Sequence, residues 1–198
     1  MIERSKITLS GRKIGFGITA SFCTLPEILA PLQELVTAGA DVYPVVSNEV
    51  YNNSSRFHDG DEFLENLREI TDKSAMHTIA SAETLGPQNP MDIMIIAPAT
   101  GNTIAKMAHG IWDTPVLMAA KATLRNGAPV LVAISTNDAL GINGVNIMKL
   151  YNMKDVYFVP FGQDDPVVKP NSMVADLSQL SESILRALEG KQIQPALV

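Results

Sequence analysis

The residues best suited to chemistry lie in two short runs, each placed where an apolar stretch gives way to polar residues. The first is Gly15-Phe16-Gly17-Ile18-Thr19-Ala20-Ser21 and the second is Pro98-Ala99-Thr100-Gly101-Asn102-Thr103. Small residues let the backbone approach a ligand closely. Hydroxyls beside the free N–H groups of a starting helix make a cradle for an anion, above all a phosphate. Ser47, in Val45-Val46-Ser47-Asn48, closes a third apolar run and adds another hydroxyl.

Two readings of the first run compete. Gly15, Gly17 and Ala20 match the G-x-G-x-x-A dinucleotide fingerprint, which wants an acidic residue after the second strand. Asp41 stands before that strand, and Glu49 is the nearest acid beyond it. A mononucleotide phosphate held by Thr19, Ser21 and Ser47 is the preferred reading. Helix capping accounts for the same hydroxyls without a ligand. In the second run the amide of Asn102 and the hydroxyls of Thr100 and Thr103 have no packing purpose at a strand end, so they point to a ligand or, again, to a cap.

His77 could move a proton, as an imidazole in general can near neutral pH, with a helix-surface or capped histidine as the plain alternative. His58 reads as part of a polar loop, and His109, just before Gly110, as a structural residue at a helix end. Three histidines and one cysteine share no ligand spacing, so no metal site is expected. The cysteine, Cys23, reads first as a small buried hydrophobe and second as a reactive thiol. Lys106, Lys121, Arg125 and Lys169 are the cations available to an anionic guest, with nothing in the sequence to choose among them.

These residues must be positioned by the elements around them. Ile14–Ile18, Val42–Val46, Ile93–Ala97, Val130–Ile134 and Val156–Val159 are apolar without alternation, as strands buried on both faces are. Helical patterns separate them over residues 26–38, 61–71, 102–108, 115–126 and 145–153, and a last one covers 176–188. Strand and helix in alternation predict a doubly wound parallel α/β sheet, Rossmann-like, with helices on both faces and the site at the strands' carboxyl ends. The whole chain reads as a single domain, with an irregular exposed arm at about 160–175 whose prolines interrupt regular structure.

The chain has 198 residues and a formal net charge of -6, with no basic cluster, which speaks against nucleic acid as a partner. No apolar run approaches a membrane span and the first residues lack a secretory pattern, so a cytoplasmic protein is expected.

PATGNT at Pro98 to Thr103, followed by IAKMAHGIWD, resembles the PASANT segment of the homo-oligomeric flavin-containing cysteine decarboxylase superfamily, and GITAS at Gly17 to Ser21 resembles its GITGS. These flavoproteins include phosphopantothenoylcysteine decarboxylase and the flavin prenyltransferases. The resemblance spans roughly residues 11 to 190. It implies FMN as cofactor, held by Gly17, Thr19, Ala20, Ser21, Ser47, Pro98, Ala99, Thr100, Asn102 and Thr103, with His77 at the place of the catalytic histidine. It also implies a homo-oligomer, a trimer or dodecamer.

Two longer segments, Leu9 to Ser47 and Asn146 to Leu177, are similar to one branch of that superfamily, the dipicolinate synthase B subunits. That branch implies an oxidoreductase acting in sporulation with a separate A subunit. The pair would oxidise dihydrodipicolinate, a small dicarboxylate, to pyridine-2,6-dicarboxylate, with NADP bound by the partner. A stand-alone FMN-dependent decarboxylase or flavin prenyltransferase, and a non-catalytic ligand-binding subunit, are the alternatives. The sequence departs from the superfamily where Gly101 replaces alanine, where Ala20 replaces glycine, and where Ser135 to Gly144 replaces the decarboxylases' PxMNxxMW clamp, which argues against cysteine decarboxylation.

Overall fold

In the computed structural model, which describes residues 9–57 and 59–198, the apolar runs become the sheet and the amphipathic runs its cover. His58 and the first eight residues lie outside that description. The strands β1 (Lys13–Ile18), β2 (Asp41–Val46), β3 (Ile93–Ala99) and β4 (Val130–Thr136) lie side by side in the order β2-β1-β3-β4, and β5 (Val156–Phe158) pairs with the first half of β4. All of these pairings are parallel. The chain winds from β1 outward to β2, then returns across β1 to lay down β3. That reversal opens a crevice beyond the carboxyl ends of β1 and β3.

Helices α1 (Leu25–Thr37), α2 (Asn48–Asn52), α3 (Gly60–Thr71), α4 (Ile79–Glu83), α5 (Gly101–Ala108), α6 (Pro115–Arg125), α7 (Gly144–Tyr151) and α8 (Leu180–Leu188) complete the described chain. Burial on both faces of the sheet is why the strands do not alternate: Ile14, Phe16, Ile18, Ile93, Ile95, Val130 and Leu131 are fully buried. The packing tolerates no extra atom along β1. A Cβ on Gly15 would lie 2.6 Å from Met94 Sδ, and one on Gly17 would lie 2.7 Å from both Met94 Cε and Val116 Cγ1. The G-x-G spacing therefore makes room for a methionine of the neighbouring strand and for α6.

The sheet departs from the expectation of purely parallel strands at its far edge. β6 (Phe161–Gly162) and β7 (Met173–Ala175) pair antiparallel, and β7 continues antiparallel onto Ser135 and Thr136 at the end of β4. Only the part of the 160–175 segment between these strands is an exposed arm, with Val167 and Val168 at its tip. Its base is core, since Phe161 is buried and packs against Phe158 with ring centroids 5.9 Å apart. The helical pattern that begins near Asp176 starts as a short 3-10 turn over Leu177–Gln179 before α8.

Candidate functional site

Three strand ends meet in one cleft of about 880 Å³, lined by residues 20–24 and 27 after β1, 100–102 after β3, 135–138 at the end of β4, and 164, 169 and 172–174 of the arm, with Phe57 at the rim. The two polar runs predicted to converge do so. Ser21 and Asn102, far apart in sequence, line the same space.

Thr19 ties the first two ends together. Its hydroxyl donates to the carbonyl of Pro98 at 2.7 Å and accepts from the backbone N–H of Thr100 at 3.0 Å. Thr100 then caps α5, its hydroxyl accepting from Thr103 N at 3.4 Å. The hydroxyls of Thr100 and Thr103 lie 3.0 Å apart. Past this knot Gly101 and Asn102, the first residues of α5, line the cleft at the positive end of the helix.

Across the cleft, Ser21, Thr24 and Ser135 form a triangle of hydroxyls with sides of 3.1, 2.9 and 2.9 Å. This triangle stands at the N-terminus of α1, where Thr24 occupies the cap position without capping. Two helix ends and a set of hydroxyls thus face one space, a chemistry suited to phosphate.

The structure sorts the residues predicted for the site. Ala20, Ser21, Thr100 and Asn102 line the cleft. Thr19, Pro98 and Thr103 support it from beneath without lining it, and Ala99 is fully buried in β3. Gly17 lies under α6, for the packing reason given above. Ser47 is a cap, as its hydroxyl accepts from Val50 N at 3.4 Å and it is buried at the start of α2. His77 also stands outside the cleft lining: its ring stacks on Tyr51 with centroids 3.7 Å apart and planes 9° apart. Those contacts hold it beside the edge strand β2, where Met76 bridges to Val45. Asp41 begins β2, at the opposite end of the strand from a dinucleotide ribose. It is paired with Lys73 at 2.6 Å and with the Tyr43 hydroxyl at 2.9 Å. Desolvation raises the Asp41 pKa, and these partners outweigh it and hold the carboxyl below its ordinary value.

Cys23 is exposed in the cleft wall, contrary to the expectation of a buried hydrophobe. Among the candidate cations, Lys169 lines the cleft, while Lys106 is engaged with Asp113 at 2.9 Å. Lys169 pairs with Asp164 at 3.1 Å, which raises its pKa and keeps it a cation at neutral pH. The Asp164 carboxyl is held below its ordinary value, chiefly by a hydrogen bond from Ser172 and against some desolvation, with help from Lys169.

Sequence reasoning overlooked the end of β4. The hydroxyl of Thr136 donates to Asp138 Oδ1, Asn143 Nδ2 donates to Asp138 Oδ2 at 2.8 Å, and Asn146 Nδ2 donates to Asn143 Oδ1 at 2.8 Å. Gly101 is the hollow into which these groups fit, since a Cβ there would lie 2.6 Å from Asn143 Nδ2 and 2.7 Å from both Asp138 Oδ1 and Thr136 Oγ1. An alanine at 101 would collide with the polar groups that this chain carries at the end of β4. The available signal was Ser135-Thr136-Asn137-Asp138 following an apolar strand, the same signal that marks the β3 end.

Among the described residues, no group of three or more His, Cys, Asp and Glu is placed to hold a metal ion, and no helix is long and apolar enough to cross a membrane.

Comparison with known proteins identifies relatives of the chain. The B subunit of dipicolinate synthase from Bacillus subtilis (strain 168) is 50% identical over 191 residues, covering 96% of both chains. The crystal structure of the corresponding B subunit of dipicolinate synthase from Bacillus halodurans superposes with a TM-score of 0.89 at 49% identity, over 96% of this chain and 98% of that one. AnUbiX (PadA1), solved in complex with FMN and dimethylallyl pyrophosphate, shares the fold with a TM-score of 0.65 at 15% identity, over 90% of this chain and 92% of that one. The Flavoprotein family model matches residues 2–187, and the chain belongs to the Flavoprotein family.

Proposed function

We propose that this chain is the B-type component of a dipicolinate synthase, an oxidoreductase subunit that holds an FMN-class cofactor and a pyridine dicarboxylate in the cleft. It would act with an A-type subunit that binds NADP, and would assemble as a homo-oligomer in the cytoplasm of a sporulating cell. The observation that carries the reading is the meeting of the β1, β3 and β4 ends around two helix N-termini, in a chain half identical over nearly its whole length to a dipicolinate synthase component.

The residues present fit FMN. Ser21, Thr24, Ser135 and the first N–H groups of α5 would take the phosphate, and a volume of about 880 Å³ admits a tricyclic ring with room beside it. Bound FMN supplies a two-electron acceptor. Phe57, half-exposed at the rim, offers an aromatic face for a planar ring. The cleft wall carries Glu27, Asp138 and Asp164 against Lys169, so a dicarboxylate would rely on Lys169 and on helix ends for its counter-charge.

The test takes this protein and its A-type partner, separately and together, with and without FMN, and measures pyridine-2,6-dicarboxylate formation. Turnover that needs both proteins supports the reading. Turnover by this chain alone, or decarboxylation of a cysteine thiol substrate, overturns it. Occupancy has an independent readout, because Cys23 is the single cysteine and stands in the wall. FMN should protect it from alkylation by iodoacetamide.

A further inference from the structure

The Thr136–Asp138–Asn143–Asn146 chain has an orientation. Asn143 and Asn146 spend their N–H groups on the next acceptor toward Asp138, which leaves Asn146 Oδ1 as an acceptor only. His109 Nε2, 3.2 Å from that oxygen, must therefore donate. Three donors in series, from His109, Asn146 and Asn143, end on one carboxylate oxygen, and the Thr136 hydroxyl ends on the other. Asn143 and Asn146 are buried, so the middle of the series is screened from water, between an exposed His109 and the cleft.

Local structure does not account for the arrangement. Thr100, not Asp138, caps α5. Asn143 occupies the cap position of α7 and makes no side-chain cap: its Oδ1, the atom that would accept a backbone N–H, accepts from Asn146 Nδ2 instead, and its Nδ2 donates to Asp138. Asp138 lines the cleft and is pressed against the first turn of α5, where a negative charge is favoured.

We propose that Asp138 is the proton acceptor of the cleft and that Asn143, Asn146 and His109 are the positioning residues that aim it. This rests on the reading of the cleft as a site for ring oxidation. One C–H bond of a dihydropyridine dicarboxylate breaks with its electron pair leaving as hydride to a two-electron acceptor of the flavin or nicotinamide class. A second C–H or N–H bond of the same ring gives its proton to a free lone pair of Asp138. The pair left behind becomes the new ring π bond, and the aromatic product leaves with Asp138 protonated until solvent takes the proton.

Asp138→Asn preserves the shape, since its oxygen can still accept from Asn143 while its NH₂ donates to Thr136. Assayed in the mixed subunits, it should lower kcat by about 10²- to 10⁴-fold with KM unchanged. Calorimetry on this chain alone should show pyridine-2,6-dicarboxylate bound as tightly as by the unmodified protein, or more tightly, because a negative charge has left the wall. Unchanged kcat, or product binding lost in step with kcat, overturns the proposal.

Asn146→Ala should lower kcat roughly ten- to a hundredfold at constant KM. His109→Ala should act in the same direction, and His109→Gln, which keeps an N–H donor, should restore the rate. A merely structural network would instead lower melting temperature and leave the kcat of the folded fraction intact, which would overturn the positioning role. If Asp138→Asn does not fold, the His109→Ala and His109→Gln pair decides alone. If the unmodified subunits together make no product, the functional reading and this inference fall together. If they do and the variants match them, only this inference falls.

Discussion

Gly17 and Gly101 stand in the two runs that read as one phosphate cradle, yet they are small for opposite reasons. Gly17 faces Met94 and Val116, an apolar contact between strands and helix. Gly101 faces an amide, a carboxylate and a hydroxyl. The same residue type at the same kind of strand end thus marks core packing in one place and site chemistry in the other. What tells them apart is the polarity of the atoms a Cβ would meet.

The comparison can be broken first at Gly17. Gly17→Ala should destabilise the fold by about 1–3 kcal/mol through overpacking, lowering the melting temperature by several degrees, with FMN binding unaltered in the folded fraction. Loss of binding without loss of stability would return Gly17 to the cradle.

Gly101→Ala should invert that pattern. Thr136 and Asp138 border the open cleft and can give way into it, whereas Met94 and Val116 are enclosed in the core, so the stability loss should be at most about 1 kcal/mol, while turnover falls because Asp138 and Asn143 are displaced. Thermal melts and rates on the same preparation separate the two. Asn102→Ala, which removes an exposed amide at the start of α5, should weaken FMN binding about tenfold and leave the melt unchanged. A lowered melt would mean Asn102 serves only the helix.

Lys169→Ala should raise KM for the dicarboxylate several-fold at constant kcat, a smaller effect because the cation is solvated and shared with Asp164. The smallest expected effect is on acidity. The Asp164 carboxyl titrates below its ordinary value of 3.8. A depressed folded value stabilises the arm at pH above the unfolded one, and that contribution is lost as pH falls through the depressed value. The protection against hydrogen exchange across residues 163–172, taken relative to the unprotected rate at each pH, should therefore be constant near neutrality and fall only in strong acid.

Much of this architecture was legible because its strands are uninterrupted apolar runs with polar residues at their carboxyl ends. The junctions at Ser21 and Asn102 were found by that rule alone. α2 and α4, five residues each, carry too little periodicity to be seen, and β6 and β7 are held by pairing with a distant strand end, which no local pattern encodes. Ser47 and Thr19 show a different limit. A hydroxyl that caps a helix, one that rivets two strands and one that faces a ligand are the same residue in sequence, and only the partner atom distinguishes them. Asp138 escaped notice because Ser135 to Gly144 was weighed as a missing clamp and not as a polar cluster in its own right.

β4 changes neighbours along its length. Its first three paired residues lie beside β5, and its last two lie beside β7. Because β5 ends early, β7 and its hairpin partner β6 also cover hydrogen-bonding groups that would otherwise stand open beside the cleft. Cutting β6 and β7 away together with the arm to widen access for larger guests would bare that edge, and the engineered protein would be prone to self-association before any gain in substrate range could be measured.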